Sequence, residues 1–207
     1  TILSTDSGGK TLSETFTVAI TDANDAPTLT VPTGGSVTED AAKSTITGSL
    51  VGSDPEDNSL TYSIDDVTAS SGSYSLAGTY GTLVLNATTG AYTYTLDNSA
   101  TATNALAAGG SETETFSVKV SDGTNITAAQ NLSFTINGAN DAPSSIALDS
   151  TSVVENSAGA IVGALSGSDA EGTSVSYSVA SSGDGASFEI DSSNNLKLKS
   201  SVSADRE

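Results

Sequence analysis

The chain has 207 residues, with 6 Lys and Arg against 25 Asp and Glu, which gives a formal net charge of −19 at pH 7. A surface this acidic repels nucleic acid and anionic membranes and attracts cations, so we expect no nucleic-acid partner and no membrane insertion. Cys, His, Met and Trp are absent, which excludes disulfides, thiolate or histidine metal sites, and a serine nucleophile with its usual histidine base. The length is typical of one or two domains, whose stability must come from burial or from metal bridges between carboxylates.

Residues 1–27 are predicted to be the last strands of an upstream domain together with a linker. Residues 2–3 end one strand, and residues 6–10 have the composition of a turn. Residues 15–21 alternate between polar and apolar side chains, which predicts a second strand. A lone hairpin is marginal in water, so both strands should belong to a larger sheet. The Pro of Asn24-Asp25-Ala26-Pro27 forces the preceding Ala to be extended, which predicts a short, stiff link.

Residues 28–143 are predicted to form one complete β-sandwich and its linker, because short strands recur between turn signals. An acidic loop at residues 54–58 follows the first of these strands. The Ala-rich stretch at residues 100–108 precedes two glycines and contains scattered Thr, which indicates a loop or one helical turn at most. The predicted strands and hairpins cover residues 44–51, 60–64, 83–96, 116–120 and 128–136.

Residues 144–207 are predicted to begin a third domain. Strand patterns cover residues 161–165 and 175–179, and a hairpin pattern covers residues 188–198. About five strands are expected, so the domain is unfinished relative to a seven-strand sandwich. Two interpretations of the ends stay open: an arbitrary window of a longer chain, or one period of a fibre in which residues 1–23 of the next copy complete this domain.

A four-residue motif recurs in step with the acidic residues around it. Asn24-Asp25-Ala26-Pro27 returns as Asn140-Asp141-Ala142-Pro143, at an offset of 140 − 24 = 116 residues. Calcium prefers six to eight oxygen ligands from carboxylates, amides and backbone carbonyls. Glu39-Asp40 returns as Glu155-Asn156 at the same offset, and Asp54 and Glu56 return as Asp169 and Glu171 at an offset of 115.

This repetition has two interpretations. Asn-Asp before Pro is an ordinary turn signal, and acidic residues scattered over solvated strands would hold no metal. Here, however, the acidic residues are confined to turns and repeat in register. In tandem sandwiches, loops from the lower end of one domain and the upper end of the next converge on the linker. The pattern therefore favours calcium-binding linkers.

Residues 144–207 resemble a cadherin repeat. Val154-Glu155-Asn156 matches the first-strand motif, and Asp169-Ala170-Glu171 matches the Asp-x-Asp loop with Glu for the second Asp. Asp205-Arg206-Glu207 matches the Asp-Arg-Glu motif, and residues 22–27 match the Asp-x-Asn-Asp-x-Pro linker.

Residues 28–139 are similar to a VCBS repeat, the bacterial relative found in very large, secreted RTX-type adhesins. Together the two resemblances imply tandem immunoglobulin-like (cadherin-like) Greek-key β-sandwiches joined by calcium-binding linkers, divided as residues 1–27, 28–143 and 144–207. The motifs that carry the second resemblance are Val37-Thr38-Glu39-Asp40, Tyr80-Gly81-Thr82-Leu83, Tyr92-Thr93-Tyr94-Thr95-Leu96-Asp97-Asn98 and Val120-Ser121-Asp122-Gly123.

The resemblance also implies the Ca²⁺ ligands, position by position. Two departures matter: Gly138 stands where the first linker has Asp22, and residues 28–139 hold no Asp-Arg-Glu motif, for which Glu112 or Glu114 is a candidate substitute. The implied ligands of the first linker are Asp22, Asn24, Asp25, the Ala26 carbonyl, Asp54, Glu56 and Asp122. Those of the second are Glu39, Asn140, Asp141, Asp169 and Glu171, and those of a following linker are Glu155, Asp205 and Glu207.

These features predict a calcium-stiffened extender repeat of a secreted adhesin or fibre at the bacterial cell surface, and no enzyme. The expected partners are neighbouring repeats of the same protein, other copies in a fibre, or a surface ligand. Two alternatives stay open: a carbohydrate-binding or accessory module of a secreted enzyme, and a homophilic adhesion domain. Composition leaves a glycosidase carboxylate pair open. Aromatic residues are only 5% of the chain, however, so platforms for stacking sugars are scarce.

Overall fold

The computed structural model describes residues 1–56 and 58–205. Its sheets consist of short strands, and its helical pieces are α1 (Thr101–Asn104) and a 3₁₀ turn at Gly183–Ser187. The predicted all-β class is therefore confirmed, and α1 lies in the Ala-rich stretch for which one turn at most was expected. No helix in these two ranges is long and apolar enough to cross a membrane.

The first sheet is an antiparallel pair near the amino terminus, formed by β1 (Ile2–Thr5) and β2 (Thr11–Glu14). The Asp6 carboxylate holds the turn between them by accepting hydrogen bonds from two backbone N–H groups at 2.8 and 2.9 Å. The strand predicted over residues 15–21 is wrong. No described strand lies beside this segment to share its backbone hydrogen bonds, so its alternating side chains stay exposed.

The middle of the chain folds as a sandwich of two four-stranded sheets with a small two-stranded sheet beside them. One sheet has the order β5-β10-β9-β8, the other β4-β12-β11-β7, and β3 pairs with β6. Neighbouring strands are antiparallel except β4 and β12, which are parallel. The strands are β3 (Thr28–Thr30), β4 (Ser36–Thr38), β5 (Thr45–Ser49), β6 (Val51–Ser53), β7 (Thr61–Ile64), β8 (Ser73–Ala77), β9 (Gly81–Asn86), β10 (Ala91–Leu96), β11 (Ser111–Ser121) and β12 (Gln130–Asn137).

The core lies between the two large sheets, because alternate residues of each strand point inward. Leu83 and Leu85 of β9 face Leu132 and Phe134 of β12, and all four side chains are fully buried. The ring of Tyr94 stacks on that of Phe134 with centroids 4.4 Å apart. This packing fixes which face of each strand is inside, and the antiparallel strand order sets which turns reach each end of the sandwich.

Two details of the middle unit differ from the prediction. The single strand expected over residues 44–51 is two strands, because Leu50 is buried and donates its N–H to the Gly90 carbonyl at 2.9 Å. The chain crosses at Leu50 from the β5 sheet to the β3–β6 pair. Strand β8 was not predicted, since its apolar residues lie within a Ser- and Gly-rich stretch.

The last part of the chain forms one four-stranded sheet, with the order β13-β14-β16-β15. The expected hairpin is present as β15 and β16, but the strand predicted over residues 175–179 is wrong, because no described strand pairs with it. Leu198 is the only buried hydrophobic side chain in the described part of this unit. The strands are β13 (Ser145–Leu148), β14 (Ile161–Ser168), β15 (Phe188–Ile190) and β16 (Asn195–Leu198).

Candidate metal-binding linkers

The first linker, residues 22–27, is held against two turns of the middle unit. The Asn24 side-chain amide donates to the Asp122 carboxylate at 2.8 Å, and the Asp25 N–H donates to the Glu56 carboxylate at 3.2 Å. The Asn58 amide donates to the Asn24 side-chain oxygen at 3.0 Å. Four of the predicted ligands, from three separate segments, therefore meet at this end of the sandwich.

Asp54 is the most buried acidic side chain at the first linker, with 8% of its surface exposed. One carboxylate oxygen accepts the Glu56 and Asn58 N–H groups at 3.1 and 3.0 Å, which shapes the acidic loop. The other oxygen, Oδ2, is buried and has no hydrogen-bond partner. A buried acceptor without a partner costs about 1–3 kcal/mol, and a bound cation would remove that cost.

The Asp122 carboxylate stays ionised to lower pH than an ordinary Asp. The Asn24 amide lowers its pKa, and the N–H groups of Asn125 and Thr124 add to the effect. Hydrogen bonds to the charged form of a carboxyl group favour ionisation. Asp122 therefore presents a charged carboxylate to the first linker.

The second linker, residues 138–143, lies between acidic groups of the units on either side. Glu39 is 2% exposed, and its Oε2 accepts the Ala139 N–H at 3.2 Å. From the other side, Glu171 accepts the Asp141 N–H at 2.5 Å. One oxygen of each of the three carboxylates is buried without a partner: Glu39 Oε1, Asp141 Oδ2 and Glu171 Oε2.

The second linker is a site of mutual repulsion between carboxylates. Burial raises the pKa of Glu39, and the charges of Asp141, Asp40 and Glu171 raise it further against the opposing Ala139 N–H. Burial also raises the pKa of Asp141, with Asp40 and Glu171 adding to the rise. Like charges disfavour the ionised form of each group. A divalent cation would reverse this repulsion, because it favours the ionised form of every group in the cluster.

Other predicted ligands lie farther from these contacts. Asp22 accepts the N–H of its neighbour Ala23 at 3.1 Å, and the Asn140 amide donates to the Asp141 carbonyl at 2.7 Å. Glu155 is exposed, and a hydrogen bond of 2.7 Å from the Asn156 N–H to the Ala204 carbonyl brings its turn beside the segment of Asp205. Glu207 lies outside the described residues.

No group of three or more Asp or Glu side chains in residues 1–56 and 58–205 is already gathered as a metal-binding cluster. Neighbouring carboxylates and unpartnered oxygens surround each linker, and side-chain rotations would be needed to bring them onto one ion. Assignment of individual ligands therefore stays a prediction.

Asp40 joins the acidic group at the second linker, although no ligand role was predicted for it. Its backbone is left-handed, with φ of 54°, and its carboxylate is near enough to Asp141 to raise the pKa of that group. Asn156, its counterpart 116 residues later, is also left-handed, with φ of 59°. Asp and Asn tolerate this conformation better than other side chains. In the sequence, the return of Glu39-Asp40 as Glu155-Asn156 was the signal that could have pointed to Asp40.

Glu114 cannot substitute for the absent Asp-Arg-Glu motif. It is 7% exposed and accepts the Tyr94 hydroxyl at 2.7 Å and the Tyr80 N–H at 2.9 Å, as well as the Thr79 N–H. Its carboxylate is used inside the sandwich to hold the turn before β9. The other suggested substitute, Glu112, is exposed on β11.

The structure explains why Gly138 stands where the first linker has Asp22. A Cβ atom there would lie 2.2 Å from the Leu106 carbonyl oxygen and 2.5 Å from that of Ala107. The Gly138 N–H also donates to the Gly110 carbonyl at 3.0 Å. The loop after α1 therefore occupies the space that a side chain at position 138 would need.

The chain belongs to the family of bacterial cadherin-like domains, whose model matches residues 24–138. Solved structures similar to it include the protocadherin gammaB4 extracellular domain, which is 16% identical, with 90% of this chain and 28% of that chain covered and a TM-score of 0.48. Human CDH23 EC21-23 is 18% identical, with 90% of this chain and 57% of that chain covered and a TM-score of 0.47. The chain thus spans less than two thirds of either structure. No curated protein matches it in sequence.

Proposed function

We propose that the chain is a calcium-stiffened spacer, in which tandem cadherin-like units extend an adhesin or fibre at a bacterial cell surface. The observation that carries the proposal is the position of the unpartnered carboxylate oxygens. In residues 1–56 and 58–205, five buried side-chain polar atoms have no hydrogen-bond partner, and four of them are carboxylate oxygens at the two linkers. Buried polar groups are ordinarily satisfied, so this concentration points to a cation.

The residues present suit calcium chemically. Every candidate ligand is a carboxylate, amide or backbone oxygen, and hard divalent cations prefer such ligands. At the first linker, Asp54, Glu56 and Asp122 would hold the ion together with the linker's Asn24. At the second, Glu39 and Asp141 would hold it together with Glu171. When bound, the ion supplies positive charge between acidic groups that otherwise repel one another.

The mechanical consequence follows from where the ligands come from. Glu39 belongs to the middle unit and Glu171 to the unit that follows, and both already bond to the linker between them. An ion shared by these groups would oppose bending at the linker, because bending would pull ligands from the metal. Without the ion, repulsion between the same groups would favour a range of inter-unit angles.

The surface favours a spacer over a carbohydrate-binding module. Sugar sites commonly need exposed aromatic rings, yet Phe16 is the only described aromatic side chain that is largely exposed, at 63%. Tyr62, Tyr92 and Tyr94 are all buried in the sandwich. Secretion to a calcium-rich environment accords with a family of extracellular-type, non-enzymatic domains and with the sequence resemblance to repeats of RTX-type adhesins.

The proposal is tested by melting the chain and titrating it calorimetrically after removal of divalent cations. A ligand that binds only the folded state contributes about 2.7 kcal/mol at 100 times its dissociation constant. For a chain of this size, that corresponds to a rise of about 5–11 °C in Tm. Magnesium serves as the control ion, since it demands a tighter octahedral site. Superimposable melts with calcium and with chelator, and no heat of binding, would reject the proposal.

A further inference from the structure

The sheet that contains β11 has an open edge inside the middle unit. Strand β7 pairs only with residues 118–121 of β11. The Asp65 N–H adds one more bond, to the Ser117 carbonyl at 2.8 Å, and the chain then turns away at Asp66, whose backbone is left-handed with φ of 57°. The described part of the chain has no strand beside residues 111–116 on this side, so the first half of β11 is an open edge.

The backbone groups at this edge point away from the sheet and can pair with another strand. Along an antiparallel strand, successive residues bond alternately to the neighbour on one side and to the neighbour on the other. Ser117 bonds on the β7 side, so every second residue before it points the same way. Ser111, Thr113 and Thr115 therefore direct their N–H and C=O groups to the open edge, and all three residues are exposed. An exposed row of such groups is a template for strand addition.

The open edge borders a groove between the two large sheets. The groove has a volume of about 400 Å³ and is lined by the end of β8, the turn after it and residues 113–116 of β11. Leu76 and Phe116 form apolar walls, and Glu114 lies beside them. All of these residues lie well inside the middle unit, away from both ends of the chain. In an added strand, the residue opposite Glu114 would point its side chain into this groove, because directly opposed residues share a face.

The groove is negatively charged and has no cation of its own. Glu114 is 7% exposed, and its carboxylate is held by the Tyr94 hydroxyl and two backbone N–H groups rather than by a basic side chain. Neither of the two ion pairs found in residues 1–56 and 58–205 includes Glu114. Burial raises the pKa of the Tyr80 hydroxyl at the groove, and the charges of Glu112 and Glu114 raise it further. Because buried charges are ordinarily paired, the groove favours a cationic side chain.

Charge decides which kind of strand fits this edge. Pairing of the edge with the same edge of a second copy would bring Glu112 and Glu114 of both copies together, and like charges on paired strands are destabilising. The chain as a whole has 25 acidic residues against 6 basic ones, which also opposes self-association. A basic segment of a different protein meets neither obstacle.

We propose that the middle unit binds an extended, basic peptide segment of a partner protein, which adds as a strand to β11 at residues 111–116. The segment lies where β7 would lie if it continued, so it runs antiparallel to β11. From its amino end, alternate side chains face Phe116, Glu114 and Glu112, and the matching chemistry is apolar, basic and basic. Backbone pairing supplies affinity, and the charges select the partner. The site uses neither linker, so it does not depend on calcium.

Titration of the isotope-labelled 207-residue chain with capped peptides, followed by NMR in chelator, tests the proposal. The probe acetyl-Thr-Val-Thr-Lys-Thr-Lys-Thr-amide should shift the amides of Thr113 and Thr115 and slow their hydrogen exchange. The same peptide with Glu for both Lys should bind roughly 10-fold or more weakly, since two favourable charge pairs become unfavourable.

The control acetyl-Thr-Val-Pro-Lys-Pro-Lys-Thr-amide keeps both positive charges but lacks the two N–H groups that would bond to β11, so it should not bind. Equal binding of the probe and this control would show general attraction to an acidic chain and would overturn the proposal. Shifts confined to other parts of the chain, or no shift up to millimolar peptide, would also overturn it. Changes at the same amides on dilution without peptide would show self-association of the edge instead, and would count against a basic partner.

Substitutions in the chain test the edge and its charge separately. Thr115→Pro removes an N–H that no bond among the described residues uses, and proline is tolerated where a strand edge faces solvent. This variant should stay folded and lose probe binding, whereas Thr115→Val keeps the N–H and should bind as the parent does. Glu112→Lys should weaken probe binding roughly 3- to 10-fold. Asp184→Lys, the same charge change at an exposed residue of the last unit, should leave it unchanged. Binding that survives Thr115→Pro in a folded chain, or equal effects of the two lysine substitutions, would refute the proposed strand addition.

Discussion

Replacing Glu39 with Gln should change stability in opposite directions with and without calcium. In chelator, the Glu39→Gln side chain keeps an acceptor for the Ala139 N–H and removes a buried charge that faces Asp141 and Glu171. Its amide can also donate to one of the unpartnered oxygens there. We expect the variant to be more stable than the parent by about 1 kcal/mol in chelator, the scale of one relieved unsatisfied group.

With calcium, the same substitution removes a ligand. At a calcium concentration 100 times the dissociation constant, the parent gains about 2.7 kcal/mol, and tenfold weaker binding reduces that gain to about 1.4 kcal/mol. The calcium-dependent rise in Tm should therefore shrink by about 3–5 °C in the Glu39→Gln chain. Thermal melts of both proteins in each condition measure the two effects together.

Glu14→Gln is the control, because Glu14 is exposed on β2 and is not among the predicted calcium ligands. It should leave both melts unchanged. If Glu39→Gln lowers stability in chelator, or leaves the calcium response intact, the reasoning about a repulsive buried carboxylate cluster is refuted.

Three further substitutions and one pH dependence follow from the same structure. Asp122→Ala should remove calcium from the first linker alone, and calorimetric titration that shows loss at both linkers would contradict the assignment. Gly138→Asp should destabilise the chain by about 1–3 kcal/mol without improving calcium affinity, because its Cβ meets two backbone carbonyls. Glu114→Ala should cost roughly 3 kcal/mol or more in urea unfolding, since it orphans a buried hydroxyl and two N–H groups; Tyr94→Phe, which removes one of those donors, should cost about 1 kcal/mol. The Asn195 amide lowers the pKa of Asp191, so its contribution is present above the ordinary Asp pKa and is lost as pH falls through the lower folded value; acid unfolding of Asp191→Asn should lack this component.

Strands were predicted well where a strand and the strand that pairs with it are close together in the sequence. The β9–β10 hairpin alternates inward Leu and Tyr residues on either side of a Gly-ended turn, so local pattern and packing agree. Residues 15–21 and 175–179 alternate just as clearly, yet they form no strand. Alternation records which face a strand would bury, whereas a strand also needs a neighbour to share its hydrogen bonds.

In the candidate site, too, some contacts were predicted from the sequence and others were missed. The family resemblance assigned Asn24, Asp25, Glu56 and Asp122 to one linker, and hydrogen bonds do join Asn24 to Asp122 and Asp25 to Glu56. The role of Asp40 depends on a left-handed backbone, and spacing does not reveal the direction in which such a residue points. The burial of Glu114 depends on a hydroxyl 20 residues away, so its position on an acidic stretch of sequence was no indication of its place in the core.

Small-angle scattering of the chain in calcium and in chelator tests the central claim most directly, because it measures the angle and mobility between units. In calcium, the bound ions should neutralise the linkers, and the chain should have a longer and better-defined maximum dimension. In chelator, it should have a broader distribution of distances. The scattering is extrapolated to zero protein concentration, so that association between copies does not contribute. Identical distance distributions in the two conditions would contradict the account.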